Sequence, residues 1–254
     1  MDNRILRESW LREEAQAHIH GWDFSHIAGR YEEENDLPWD YREIVLDALK
    51  PGDELLDIDT GGGEFLLSLG HDPARTSATE GYAPNVALCR ARLKPLGIRL
   101  REMQDCGRIP FDDACFDLVI NRHGQYDVSE IRRVLRPGGR FITQQVGEDN
   151  DRDLVELLLP GTPKPFPGMN LAAQTALFRA AGFEIRRAEE CFRPIRFYDV
   201  GALVWFARII EWEFPGFSVE RCFDRLLAAQ AMIAERGFIE GRIHRYLIVA
   251  EKPR

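Results

Sequence analysis

The run LLDIDTGGGEFLLSL, residues 55–69, constrains this chain more than any other stretch. Apolar residues around Asp57 read as a buried strand, and three consecutive glycines then break the run before a short apolar helix closed by Gly70. Without Cβ atoms, such a turn lets backbone amides come close to a ligand. The alternation continues. RTSATEG reads as a second strand ending at Glu80, PNVALCRARLKPLG as a helix, and IRLREMQ and FDLVIN as strands separated by the polar DCGRIPFDDAC. VSEIRRVL places Val128, Ile131, Val134 and Leu135 on one helical face, RPGG reads as a turn, and RFITQQV as a strand. This order predicts an α/β fold: a mostly parallel sheet with helices on both faces and right-handed crossovers. Ligands of such sheets bind beyond the carboxyl ends of the strands, which is where the glycine turn falls.

Two ligand classes compete for that turn. A dinucleotide site needs GxGxxG, with the pyrophosphate on the helix N-terminus. Here Gly61, Gly62 and Gly63 are followed by Glu64 and Phe65, so the third glycine is missing. Acids at the strand end and the helix start repel a pyrophosphate and suit an ammonium or sulfonium.

On these residues the segment resembles motif I of the class I S-adenosylmethionine (SAM)-dependent methyltransferases, an acid followed by GxGxG. Asp57 takes the place of the motif acid, Gly61 and Gly63 those of its second and third glycines, and Asp59 stands where the first glycine is usual. The resemblance extends over residues 51–146. Glu80 ends the second strand, where the family's acid binds both ribose hydroxyls. QDCGRIPFDDACFDLVI resembles the family's GDAxxLPFxDxxFDLV, which implies that Asp105 meets the adenine amino group and the Cys106 amide the ring. EIRRVLRPGGRF resembles its helix, turn and strand after the fourth strand. The resemblance thus implies a seven-stranded Rossmann-like methyltransferase fold, SAM as cofactor, and a cofactor site of Asp57, Thr60, Gly61, Gly63, Glu80, Gly81, Asp105 and Cys106; Asn121, at a strand end, is expected beside the cofactor, and Asp59, which departs from the family pattern, reads either as a further contact or as a helix N-cap.

The rest of the chain is expected to elaborate a single domain: a helical cap over 1–50, the SAM-binding core over 51–146, and a substrate-side half over 147–254 with a helical insertion at about 193–241. NLAAQTALFRAAGFEIRRAEECF reads as an Asn-capped helix, a glycine stop and a strand, and GRIHRYLIVAEKP as a seventh, antiparallel strand. FYDVGALVWFARIIEWEF and SVERCFDRLLAAQAMIAERG read as the inserted helices. Tyr31, Trp39, Tyr41, Arg122, Tyr198 and Trp205 are candidates for a lid or acceptor pocket, with core packing the competing reading for the aromatics.

For chemistry, INRHGQYD follows the fourth strand. His123 is the one residue there able to take a proton near neutral pH, and it is expected to be a base or an acceptor-orienting group, against a structural histidine. His18, His20 and His26 lack the accompanying cysteines or ordered carboxylates of a metal site, so no metal is expected.

Charge and cysteines narrow the function classes. A formal net charge of −9 disfavours generic polyanion binding. Five cysteines without a CxxC pair suggest reduced thiols in the cytoplasm, and VGALVWFARII is too short to span a bilayer. The expected partner is a small-molecule methyl acceptor, with neither membrane nor nucleic acid, and the aromatic insertion is compatible with a homodimer. The alternatives are an RNA or protein methyltransferase, for which CRARLKPLGIRLRE would be the basic footprint, and a non-catalytic SAM-binding protein.

Overall fold

The computed structural model describes residues 2–18, 23–33, 36–105 and 107–254. His20 and Cys106 of the readings above lie outside them. The chain divides into two compact units, a larger one of Pro38–Gly147, Gly168–Cys191 and Arg245–Arg254, and a smaller one of Met1–Leu37, Glu148–Pro167 and Phe192–His244.

The strands are β1 (Tyr31–Glu33), β2 (Leu55–Ile58), β3 (Thr76–Glu80), β4 (Arg99–Glu102), β5 (Phe116–Arg122), β6 (Leu135–Val146), β7 (Glu184–Phe197) and β8 (Ile239–Glu251). The helices are α1 (Asn3–Ala15), α2 (Tyr41–Ala48), α3 (Glu64–Ser68), α4 (Ala83–Arg92), α5 (Val128–Val134), α6 (Arg152–Leu158), α7 (Leu171–Ala180), α8 (Val200–Ile209) and α9 (Val219–Arg236).

The larger unit has the strand order β7-β8-β6-β5-β2-β3-β4. β2 pairs in parallel with β3 and β5, β3 with β4, and β5 with β6, while β8 runs antiparallel to β6 with Tyr246 opposite Gln145. This is the expected mostly parallel sheet of seven strands, and the reversal of chain order at β2 and β5 opens the carboxyl edge for a ligand. All four residues of β2 are buried, as a strand covered on both faces requires. Short polar side chains start the helices: Asp40 accepts from the Glu43 amide, Asp127 from those of Ser129 and Glu130, and Asn170 from that of Ala173. Gly182, at φ 82°, ends α7. The core gathers Leu56, Ile58, Phe116, Val119, Phe141 and Phe178. RPGG, expected as a turn before the strand, lies inside β6, where the pairing register jumps from Phe116 opposite Leu135 to Leu118 opposite Arg140. The turn is a bulge in a longer strand.

In the smaller unit, β1 pairs antiparallel with the end of β7, Tyr31 opposite Phe197. This eighth strand was not expected, because YEE lies in a polar run with no alternation to mark it. α6 is the other element without an expectation. The inserted helices fall where the sequence puts them, and they bury their aromatics: Trp205, Phe206 and Phe214 are at most 3% exposed and share a core with Trp10, Ile27 and Phe197. Trp212, by contrast, is 45% exposed. Among the described residues no helix is long and apolar enough to cross a membrane.

Candidate functional site

The site is assembled in the larger unit at the carboxyl ends of β2, β3 and β5. Asp57 is buried and accepts a hydrogen bond from the Thr60 hydroxyl at 2.6 Å. Burial is the main reason its carboxyl is pushed up to about 7; Asp59 and Glu80 add to the rise, and Arg122 and the Thr60 bond oppose it. Asp59 has a left-handed backbone, φ 55°, where the related motif has glycine. Its amide donates to the Thr79 hydroxyl at 3.3 Å, and its carboxylate accepts from the Gln125 amide. Burial and the charge of Glu80 push it up to about 6.

Glu80 organises the turn. Its carboxylate accepts from the amides of Gly61 at 2.8 Å and of Gly81 and Tyr82 at 2.9 Å each. Gly61 and Gly63 both have positive φ, and a Cβ on Gly81 would fall 2.2 Å from the Met103 carbonyl, so this β3 end closes on the β4 end only without a side chain. Asp105, beyond β4, is exposed and caps its own turn by accepting from the Gly107 amide.

The β5 end is built differently. Asn121 is fully buried, and its side chain is taken up internally: Nδ2 donates to the Ile58 carbonyl at 3.0 Å, and Oδ1 accepts from Gln145 Nε2 at 2.5 Å. It therefore fixes β5 against β2 and β6. Arg122 is exposed and lies over the Phe65 ring, 4.8 Å from its centroid. His123 has φ 66°, and its amide donates to the Gln144 carbonyl. Its ring nitrogen Nε2 is 3.1 Å from Gln144 Nε2. The residue presents surface to solvent, yet protein atoms crowd its ring. That desolvation, with the charges of Arg245 and Arg122, depresses its pKa to about 3, so the imidazole is neutral at neutral pH and a weak base.

The lid candidates part company. Tyr41 is buried, its hydroxyl directed at the carbonyls of Asn121 (3.1 Å) and Ile142 (3.2 Å) and its ring on Phe65. Trp39 is buried, and its indole donates to Gln144 Oε1 at 2.8 Å. In the smaller unit, Tyr31 stacks on Phe197, Trp205 donates to the Gln16 carbonyl and stacks on His26, and Tyr198, 40% exposed, donates to Glu32. Sequence reasoning missed Gln144, Gln145 and Arg245. Two consecutive glutamines closing an otherwise apolar strand were the available signal, since buried amides need partners. No cluster of three metal-ligating side chains occurs among the described residues.

Residues 56–143 match the family described as methyltransferase domain. The chain carries a methyltransferase domain. This domain is of the class I SAM-dependent kind, and it holds the turn from Asp57 to Gly63, Glu80 and the β5 end. Its relatives include the demethylmenaquinone methyltransferase of Thermus thermophilus, 32% identical over 136 residues that make up 47% of this chain and 62% of that protein. The phthiotriol/phenolphthiotriol dimycocerosates methyltransferase of Mycobacterium tuberculosis is 30% identical over 121 residues, 44% of each chain. This chain thus spans less than two thirds of the length of either relative. A solved structure from Bacillus halodurans shares the fold of the methyltransferase domain, with a TM-score of 0.58 at 19% identity over 85% of this chain and 99% of that one.

Proposed function

We propose that the chain is a SAM-dependent methyltransferase that acts on a small-molecule acceptor. The observation that carries this reading is the convergence of Asp57, Asp59 and Glu80 on a glycine turn, each carboxylate acting electrostatically on another. A cationic ligand relieves that repulsion and a pyrophosphate worsens it, so these residues fit SAM and do not fit a dinucleotide. When bound, SAM supplies an electrophilic methyl on its sulfonium, and transfer is an in-line displacement.

The chain's own residues then bind and orient. Asp57 and Asp59 hold negative charge near the cation. Glu80, already ordered by three amides, is positioned to accept from ribose hydroxyls. Asp105 serves the adenine edge. Asn121 acts by fixing the strand ends. Alignment of the reacting atoms supplies most of the rate, so a dedicated base is not required.

Support for a small molecule comes from the net charge of −9 and from the two relatives, named for a menaquinone precursor and for a lipid. We also place the protein in the cytoplasm, in keeping with the free thiols of Cys89, Cys115 and Cys222. A homodimer loses support where Trp205, Phe206 and Phe214 enter a core of their own unit.

The test is calorimetric titration with SAM, followed by incubation with methyl-labelled SAM and a cell extract separated into small-molecule, RNA and protein fractions. Label among the small molecules supports the reading. Label in RNA or protein overturns the acceptor class, and SAM binding with no label in any fraction points to a non-catalytic binder.

A further inference from the structure

The polar chain behind His123 fixes which of its nitrogens carries the proton. An indole N–H can only donate, so the Gln144 atom 2.8 Å from Trp39 Nε1 is its carbonyl oxygen. The other end of that amide is then NH₂, and it faces His123 Nε2 at 3.1 Å. An NH₂ group can only donate, so Nε2 accepts and the proton of a neutral ring sits on Nδ1. Trp39 and Gln144 are each 7% exposed, which leaves water little room to rearrange the chain. Nδ1 has no hydrogen-bond partner among the described residues, whereas His123 itself presents surface to solvent. The charges of Arg122 and Arg245 both act on the ring.

We propose that His123 is a hydrogen-bond donor rather than a base, its proton held on Nδ1 by Gln144 and Trp39, and that in the positive field of Arg122 and Arg245 it receives an anionic oxygen of the methyl acceptor. Phenolates, enolates and carboxylates share that chemistry. The acceptor role rests on the methyltransferase reading above, and the tautomer does not.

The depressed pKa agrees with this role, since two cations that resist protonation of a ring also attract an anion to its N–H. A left-handed backbone at His123 is a further local cost.

The experiment has two parts on the full chain. Nitrogen NMR of histidine-labelled protein reads the tautomer without cofactor; the neutral Nδ1–H form at neutral pH is expected, and the Nε2–H form or an imidazolium overturns the proposal. Titration with p-nitrophenolate and with benzoate, each in the presence of saturating SAM, then reads the anion site, with p-nitroanisole as the uncharged control. Either anion should move the Nδ1 resonance and lose about tenfold or more in affinity in His123→Leu, as for a charge-assisted hydrogen bond. His123→Asn should recover most of it, because the Asn amide reaches the Nδ1 position and tolerates the left-handed backbone. Gln144→Glu should move the proton to Nε2 and weaken both anions, which covers the case in which His123→Leu fails to fold. Equal affinity in wild type and His123→Leu, or no response to either anion, overturns the acceptor role. Absence of any SAM binding in the same calorimeter overturns the methyltransferase reading, and the acceptor role with it, while the tautomer result stands.

Discussion

Gly124 packs directly on Asp59: a Cβ at position 124 would lie 2.7 Å from the Asp59 carboxylate and 2.7 Å from Asn121 Nδ2. The loop after β5 thus closes on the loop after β2 only because residue 124 has no side chain. Gly124→Ala should cost about 1–3 kcal/mol of stability, the usual range for overpacking a tight site. The double variant with Asp59→Gly should recover part of that loss, and not all, because the Asn121 contact remains. Urea denaturation of the two single variants and the double variant, taken as a cycle, checks this.

Asp59→Gly alone should stabilise the ligand-free protein. It relieves a left-handed backbone at a non-glycine residue, worth about 1 kcal/mol, and it removes a carboxylate held in an unfavourable field. The second part depends on pH. The folded state holds the Asp59 proton more tightly than the unfolded state, so this carboxyl favours folding at low pH and stops doing so as pH rises from 3.8 to about 6. The advantage of the variant should therefore grow across that window and level off above it. Denaturation midpoints at a series of pH values measure it.

His123 contributes with the opposite sign. Its pKa falls from 6.5 to about 3 in the folded protein, so its contribution to stability is complete above 6.5 and is lost as pH falls toward 3. His123→Asn should flatten the acid limb of the stability profile while leaving the melting temperature above neutral pH within a few degrees of wild type.

Glu80→Gln keeps the shape of the side chain and removes its charge. SAM affinity should fall by about 10- to 100-fold, as expected when charge-assisted hydrogen bonds of roughly 1.5–3 kcal/mol are lost. Asn121→Leu tests the strand ends instead. Leaving the buried Ile58 carbonyl without this donor should cost about 1–3 kcal/mol, while Gln145 keeps the Gly124 carbonyl and the Thr143 hydroxyl. Calorimetry separates the two: Glu80→Gln, whose NH₂ must face an amide that a carboxylate oxygen now serves, lowers SAM affinity together with stability, whereas Asn121→Leu acts on folding.

Much of the site was legible because its information is local. Asp57, the glycines and Glu80 declare themselves by strand ends and turns, whose rules operate over a few residues. Asp59 was visible as an oddity, but its left-handed backbone and its contact with Gly124 needed the fold. The bland role of Trp39 and Tyr41 was foreseen only as an alternative, since their partners Gln144 and Asn121 are 105 and 80 residues away. No periodicity encodes such a pairing. Arg245 acts on His123 for the same reason: β8 returns beside β6 from the far end of the chain. β1 escaped notice because a three-residue strand carries too little pattern to read.

Tyr41 and Trp39 stand at the start of α2 and in the turn before it, and both reach through the core to strand residues. A helix nailed down at its entry cannot serve as a door. Traffic into the turn at Gly61–Gly63 must leave α2 in place, so loosening that nail with Tyr41→Phe should speed cofactor exchange little and weaken the wall itself.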